Sequence, residues 1–307
     1  MIREQRFRWI LRAFFLALIA AALFYFVDWR AALDALVGIN ITFAIMAFLM
    51  LSAQIVLSAL RWQLTAKQLD IHFDPRFAVR EYYLAQILNQ TLPGGILGDA
   101  GRAYRSRSER GVLASGQAVL IERLAGQLGL LAVFAVGVAA AFTSGIAQKW
   151  PDWFTRVSLA MLGLLLLAAL TATITSRSLK DTPSSSLLRK TLLDQSVFAR
   201  QVAYSSATGV LNVAAFAACA AAVGATMAVA DAATIIPIIL FAMVLPLTIS
   251  GWGFREGAAA ALFPVVGLTP AVGVASSVVF GVLVFLSTTP ALLFALKQRE
   301  KPDPKRG

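Results

Sequence analysis

The sequence predicts an all-α, polytopic membrane protein in which six transmembrane helices and two opposed re-entrant helical hairpins form an inverted 3+3 repeat. Three observations predict it. Of the 307 residues 59% are hydrophobic and only 14% charged, with a mean hydropathy of +0.75, and the apolar residues fall in runs near the ~20 needed to cross a ~30 Å hydrocarbon core. The basic residues are confined to short loops, nearly all on one side. Two stretches, LPGGILGDAGR (Leu92 to Arg102) and LPLTISGWGFREG (Leu245 to Gly257), put Pro, Gly and charge where a bilayer normally forbids a break in a helix.

The runs that span are Trp9 to Val27, Ile41 to Leu60, Leu113 to Phe142, Val157 to Thr175, Val202 to Ala222 and Ala271 to Leu296. The first follows Arg3, Arg6, Arg8 and Arg12 in signal-peptide order, but it is long, and Phe24, Tyr25 and Phe26 stand where a cleavage site needs small residues. It is expected to be retained. Twenty-two of the 27 Lys and Arg fall in the N-terminal segment, the loops around Arg61 to Arg80, Arg102 to Arg110 and Arg177 to Arg200, and the tail from Lys297. Arg30, Lys149 and Arg156 lie on the other side, with Trp150 and Trp153 suited to the outer interface. The positive-inside rule then sets both termini in the cytoplasm.

That topology shapes the stretches left over, roughly Glu81 to Ser108 and Ala233 to Pro264. The first has basic sequence on both sides and must enter from and return to the cytoplasm, whereas the second must dip in from outside. Asp74-Pro75 reads as N-cap and N1 of the first entering helix, Pro93 stops it, and Gly94 and Gly95 form the turn. Asp99 is placed to cap the returning helix. In the second hairpin Pro246 ends the entering helix, and Ser250 or Gly251 begins the returning one. Pro93 to Pro246 is a shift of 153 residues, and each half reads span, span, hairpin, span. Three crossings per half make the second copy inverted, the pattern of alternating-access transporters. The chain is thus one transmembrane domain, with halves at about 9–143 and 155–296 and a cytoplasmic tail at 297–307.

Charge in apolar sequence marks the candidate site. Glu122 and Arg123 lie about ten residues inside the third span, where a charge costs from ~3 to 10 kcal/mol or more unless it faces protein or water. Adjacent helical side chains point ~100° apart, so each needs a partner elsewhere. Arg102 or Arg255 is expected opposite Glu122, and Asp99 or Glu256 opposite Arg123. Asp99 and Arg102 share a helix face at i,i+3, while Arg255 and Glu256 diverge. The bland reading is an internal salt-bridge network. The functional one is that Arg102, Arg123 and Arg255 grip a phosphate bidentately along a cavity, aided by helix N-termini near Gly98 and Gly253. Asn89, Gln90 and Thr91 abut the first break and line its entrance. Gln54, Ser58, Ser205, Ser206 and Asn212 read as helix–helix glue.

Other classes are disfavoured. One Cys, Cys219, and one His, His72, allow neither a disulfide nor a Cys/His metal set. GWGFREG has neither the preceding strand nor the spacing of a dinucleotide loop, and no P-loop or H-E-x-x-H motif occurs. No cofactor is expected. The net charge of +11 is explained by topology and anionic lipid, not nucleic acid.

LPGGILGDAGRAYR (Leu92 to Arg105), IERL (Ile121 to Leu124) after Ala118, and LPLTISGWGFREGA (Leu245 to Ala258) together resemble the lysylphosphatidylglycerol synthase transmembrane region, a flippase-like membrane protein family, over about Arg12 to Leu296. The resemblance implies an inner-membrane lipid translocase moving aminoacylated phospholipids or other anionic or polyprenyl-phosphate-linked lipids. It carries over Asp99, Arg102, Glu122, Arg123, Arg255 and Glu256 as the functional set. The aminoacyl-transfer domain of the fused synthases does not follow Leu296 in this sequence, so lysine transfer is not expected. The reading is therefore a lipid transporter, not an enzyme, with membrane lipids as partners and homo-oligomerisation left open. The rival is a non-transporting scaffold or accessory subunit for a lipid-modifying enzyme or glycosyltransferase, in which the buried charges only pair with each other. A membrane-embedded transferase using Glu122 or Asp99 as base is the third reading.

Overall fold

A computed structural model of the chain describes residues 28–92, 96–107, 111–178, 195–244 and 250–299. The expected first span, Pro93, Gly94, Gly95, Pro246 and the tail from Glu300 lie outside the described residues. Described residues form helices α1 (Trp29–Val37), α2 (Ile41–Gln68), α3 (Pro75–Thr91), α4 (Leu97–Arg105), α5 (Gly111–Thr143), α6 (Asp152–Ser178), α7 (Gln195–Ala222), α8 (Val229–Phe241), α9 (Phe254–Leu262), α10 (Pro270–Ser287) and α11 (Pro290–Arg299), with short 3-10 turns between some of them.

Four segments, Ile41–Gln68, Gly111–Thr143, Val197–Ala222 and Pro270–Phe294, are long and apolar enough to cross a membrane, and helix α6 covers the stretch from Val157 to Thr175. Large apolar side chains such as Leu113, Val136, Leu164 and Leu166 are turned outward. In water such a surface would drive association; in lipid it is neutral. The chain is a multi-pass membrane protein.

Two boundaries differ from expectation. Helix α2 does not stop at Leu60 but runs on to Gln68, because Leu64 and Ala66 continue its buried stripe. The last span is broken at Thr288–Thr289 into α10 and α11, since Pro290 cannot continue the hydrogen-bond ladder of the helix before it. Helix α1 was not foreseen. Asp28 caps it by accepting from the N–H groups of Arg30 and Ala31, and it rests Ala32 against Ala271 and Val274 of α10.

The bundle is built around α2 and α7, which run antiparallel. At one end Asn40 N–H, just before α2, donates to the carbonyl of Ala222, the last residue of α7, at 2.8 Å. Toward the other end Gln201 of α7 donates to Thr65 of α2 at 2.9 Å. The loops that lead into the two broken stretches, 69–74 after α2 and 223–228 after α7, therefore sit at opposite ends of the bundle. Helix α5 lies along α7 with the same direction: Gly129 crosses the backbone at Ser205, where a Cβ would lie 2.5 Å from the Ser205 carbonyl carbon, and Gly137 crosses Ala233 of α8.

Each broken stretch folds back on itself. Helices α3 and α4 pack so closely that a Cβ on Gly98 would strike the carbonyl of Ala85. Helices α8 and α9 straddle a turn in which Ser250, Gly251 and Gly253 all have positive φ, 52°, 76° and 89°. Those conformations are incompatible with helix, so α9 begins at Phe254 with Gly253 as its N-cap, later than Ser250 or Gly251. Trp150, expected at the interface, is buried and its indole N–H donates to Asp231 at the start of α8 at 2.8 Å. Of the two tryptophans expected there, Trp153 is exposed.

Candidate functional site

Residues flanking the two breaks meet inside the bundle, where the hydroxyl of Ser250 and the side-chain oxygen of Gln90 are in hydrogen-bond contact. Around that contact lies a cavity of about 330 Å³. Its wall combines Asn89, Gln90 and Asp99 beside the first break and Met243, Ser250 and Gly251 beside the second with residues of α2, α5, α7 and α10.

Glu122 is the hub of the charge network. It is 1% exposed, and its carboxylate accepts from Arg61 at 2.6 Å, from Arg102 at 3.1 Å and from the Tyr82 hydroxyl at 3.3 Å. Arg102 also reaches Asp99 at 2.9 Å, and its guanidinium lies between the rings of Trp62 and Tyr82, 4.7 and 4.4 Å from their centroids. The second oxygen of Asp99 pairs with Arg123 and accepts from Asn89 at 3.3 Å. Three guanidiniums thus face two carboxylates, leaving one formal positive charge. Of the set Arg123 is the outlying member, with its side chain 43% exposed.

The expected pairings Glu122–Arg102 and Arg123–Asp99 are therefore formed. The alternatives through Arg255 and Glu256 are not, because those two form their own cluster. Arg255 donates to Glu256 at 2.7 Å and to the Ser277 hydroxyl at 2.8 Å, and Ser277 donates to Glu256 at 2.8 Å. This corrects the expectation that the adjacent pair diverges. Glu256 sits at N3 of α9 and turns back to accept from the N–H of Gly253 at 2.6 Å, and the long Arg255 side chain curls over Trp252 and Phe280 to meet it.

The N–H groups expected to serve a ligand are also occupied. Gly98 N–H donates to Asn89 at 2.8 Å, as Gly253 N–H does to Glu256. Asp99 is not the N-cap of α4, a position held by Ile96, but lies in its first turn, which aims its carboxylate at Arg102 rather than at the backbone. Asn89 and Gln90 line the cavity, whereas the Thr91 hydroxyl turns back to the Ile87 carbonyl of its own helix.

Sequence reasoning missed Arg61 and Glu81. Arg61, expected in a cytoplasmic loop, is 4% exposed in α2 and spans the core from Glu122 to the Thr208 hydroxyl of α7, 2.7 Å away. Gly126 makes room for it, since a Cβ there would lie 2.7 Å from the guanidinium. Glu81 is fully buried between Arg80, 2.9 Å away, and Arg105, clasping α3 to α4. Gln54, Ser58 and Asn212, expected as packing contacts, line the cavity instead; Ser205 packs its backbone on Gly129. Among the described residues no group of three or more His, Cys, Asp or Glu is arranged to hold a metal.

No curated protein matches the chain. The family described as the lysylphosphatidylglycerol synthase TM region matches residues 9–291, and the chain belongs to that family.

Proposed function

We propose that this member of the lysylphosphatidylglycerol synthase transmembrane-region family translocates an anionic lipid headgroup across the cytoplasmic membrane, its two hairpins opening alternately. The observation that carries the reading is the cavity of mixed polar and apolar lining at which residues flanking the two breaks meet. Broken helices at that depth are tolerated in a bilayer only against protein or a water-filled space. The antiparallel α2 and α7 support opposite approaches for the two hairpins, the first from the cytoplasm and the second from outside. In this reading six spans and the two hairpins make an inverted 3+3 repeat. Corresponding elements recur at a near-constant offset: Ile41 and Gln195 start the long helices, Pro75 and Val229 the entering arms, Leu97 and Phe254 the returning arms. Arg102 and Arg255 occupy those returning arms, each between two aromatic rings and each paired with a carboxylate.

In this mechanism a phosphate approaches Arg123, the least buried arginine of the charge network, while the acyl chains stay in lipid. Loss of the Gln90–Ser250 contact opens the way toward Gly251 and Arg255, and the second hairpin releases the headgroup on the other side. Arg61, Arg102 and Glu122 hold the frame that the hairpins move against. The pairing of the buried charges is what a scaffold also requires; the cavity beside the two breaks supports the carrier reading. A lipid-modifying enzyme remains a natural partner for such a carrier.

The test uses purified protein in phosphatidylcholine vesicles holding a trace of headgroup-labelled phosphatidylglycerol and an impermeant quencher. Vesicles with the protein are expected to lose nearly all signal, with Arg123→Ala and Arg255→Ala markedly slower. If vesicles with and without protein quench to the same half-level plateau, the reading is wrong.

A further inference from the structure

Most charged groups of the cavity wall are turned toward one another, and among the uncharged polar groups facing the space, between apolar stretches and a few hydroxyls, carboxamides are prominent. Six such side chains, Gln54, Gln86, Asn89, Gln90, Gln127 and Asn212, reach it from α2, α3, α5 and α7. A carboxamide offers two N–H donors and an oxygen with two lone pairs. Asn89 is used on both sides, by Asp99 and by Gly98. Gln54 gives one donor to Ser58, Asn212 gives one to the Thr208 carbonyl, and Gln90 meets Ser250. Their remaining donors and acceptors make no further hydrogen bond among the described residues. The side-chain oxygen of Gln127 is buried with no partner among the described residues.

Groups that both donate and accept are matched by ligand groups that do the same. A bare phosphate only accepts and an ammonium only donates, so either would leave half of this wall unsatisfied at a cost comparable to the bonds gained. Hydroxyls satisfy both halves. At about 330 Å³ the cavity equals roughly ten water volumes of ~30 Å³ each, room for one polyol ring with its phosphate but not for acyl chains.

We propose that the cavity recognises a hydroxyl-rich headgroup, a cyclic polyol or sugar joined to the lipid through phosphate, with the carboxamides reading the hydroxyls and Arg123 the phosphate. This rests on the cavity being the headgroup site. The two lipid sources of that chemistry are an inositol phospholipid and a polyprenyl phosphosugar.

The experiment is native mass spectrometry of the full chain released from nanodiscs containing equal fractions of phosphatidylinositol, a polyprenyl phosphohexose, phosphatidic acid and phosphatidylethanolamine. One or both of the first two are expected to be retained about five- to tenfold over phosphatidic acid, the size of one or two neutral hydrogen bonds, and whichever is retained identifies the source. Gln127→Leu and, independently, Gln54→Met are expected to bring that ratio toward one without weakening phosphatidic acid; shielding of Cys219 from thiol reagents verifies folding. Equal or better retention of phosphatidic acid by the unmodified protein, or an unchanged ratio in both folded variants, overturns the inference and leaves the anionic-headgroup reading standing. Retention of phosphatidylethanolamine as strongly as any anionic lipid overturns both.

Discussion

Replacing Glu122 by Ala removes the only carboxylate that Arg61 meets among the described ion pairs, and its consequence can be worked from the cluster. The cluster of Arg61, Arg102, Arg123, Asp99 and Glu122 goes from one excess positive charge to two. Arg102 keeps Asp99 at 2.9 Å, but Arg61, 4% exposed, is left with the neutral hydroxyl of Thr208. Breaking a buried pair by deleting one partner costs about 3–5 kcal/mol, whereas replacing both partners by apolar residues is often neutral. Glu122→Ala is therefore expected to lose about 3–5 kcal/mol, and Glu122→Leu combined with Arg61→Met to recover at least half of it. The single cysteine supplies the assay: Cys219 is fully buried in α7, so its reaction with a fluorogenic thiol reagent along a dodecyl sulfate titration in mixed micelles follows unfolding. A Glu122→Ala midpoint equal to that of the unmodified protein, or a double variant losing the sum of the two single losses, would refute the idea that this pairing holds the frame.

Three further outcomes follow from the geometry. Gly98→Ala should destabilise the first hairpin by about 1–3 kcal/mol or more, because its Cβ would meet the Ala85 carbonyl carbon and the Asn89 side-chain oxygen at 2.7 Å each; the same thiol assay reads it. Arg255→Lys cannot keep the bonds to both Ser277 and Glu256, and a loss of about 1.5–3 kcal/mol is expected for a buried charge-assisted bond, measured on the same titration. Gln90→Cys with Ser250→Cys, in a Cys219→Ser background and bridged through two disulfides by a short bis-methanethiosulfonate, should arrest translocation in vesicles, with recovery on reduction; unchanged transport in fully bridged protein would show that the two hairpins need not part.

Much of the architecture was legible in the sequence because the bilayer makes its rules strict. Pro and Gly within membrane-grade sequence could only mean a break, and the i,i+3 spacing of Asp99 and Arg102 by itself sets both on one helix face. Glu122 and Arg123 announced themselves by cost. Arg61 did not, because an arginine just past an apolar run looks like a topology signal, and only the continuation of α2 to Gln68 buries it. Glu81 was hidden in the same way, amid basic residues whose charge was assigned to the cytoplasmic surface. The Arg255–Glu256 pair escaped the 100° rule because a residue at N3 bends back to cap its own helix. Asn89 and Gln90 were legible as lining because they abut the break, whereas Gln54 and Asn212 looked like packing contacts and Gln86 and Gln127 gave no signal until four helices brought the carboxamides together.

The central claim is that the two hairpins open to opposite faces of the membrane, and the sidedness of the loops that feed them tests it most directly. His72 in the loop before α3 and Thr226 in the loop before α8 are both exposed. Each is changed singly to Cys in a Cys219→Ser background and treated in intact cells with a membrane-impermeant maleimide. The account predicts that Thr226→Cys is labelled in intact cells and His72→Cys only after lysis. Labelling of both from the same side would contradict it.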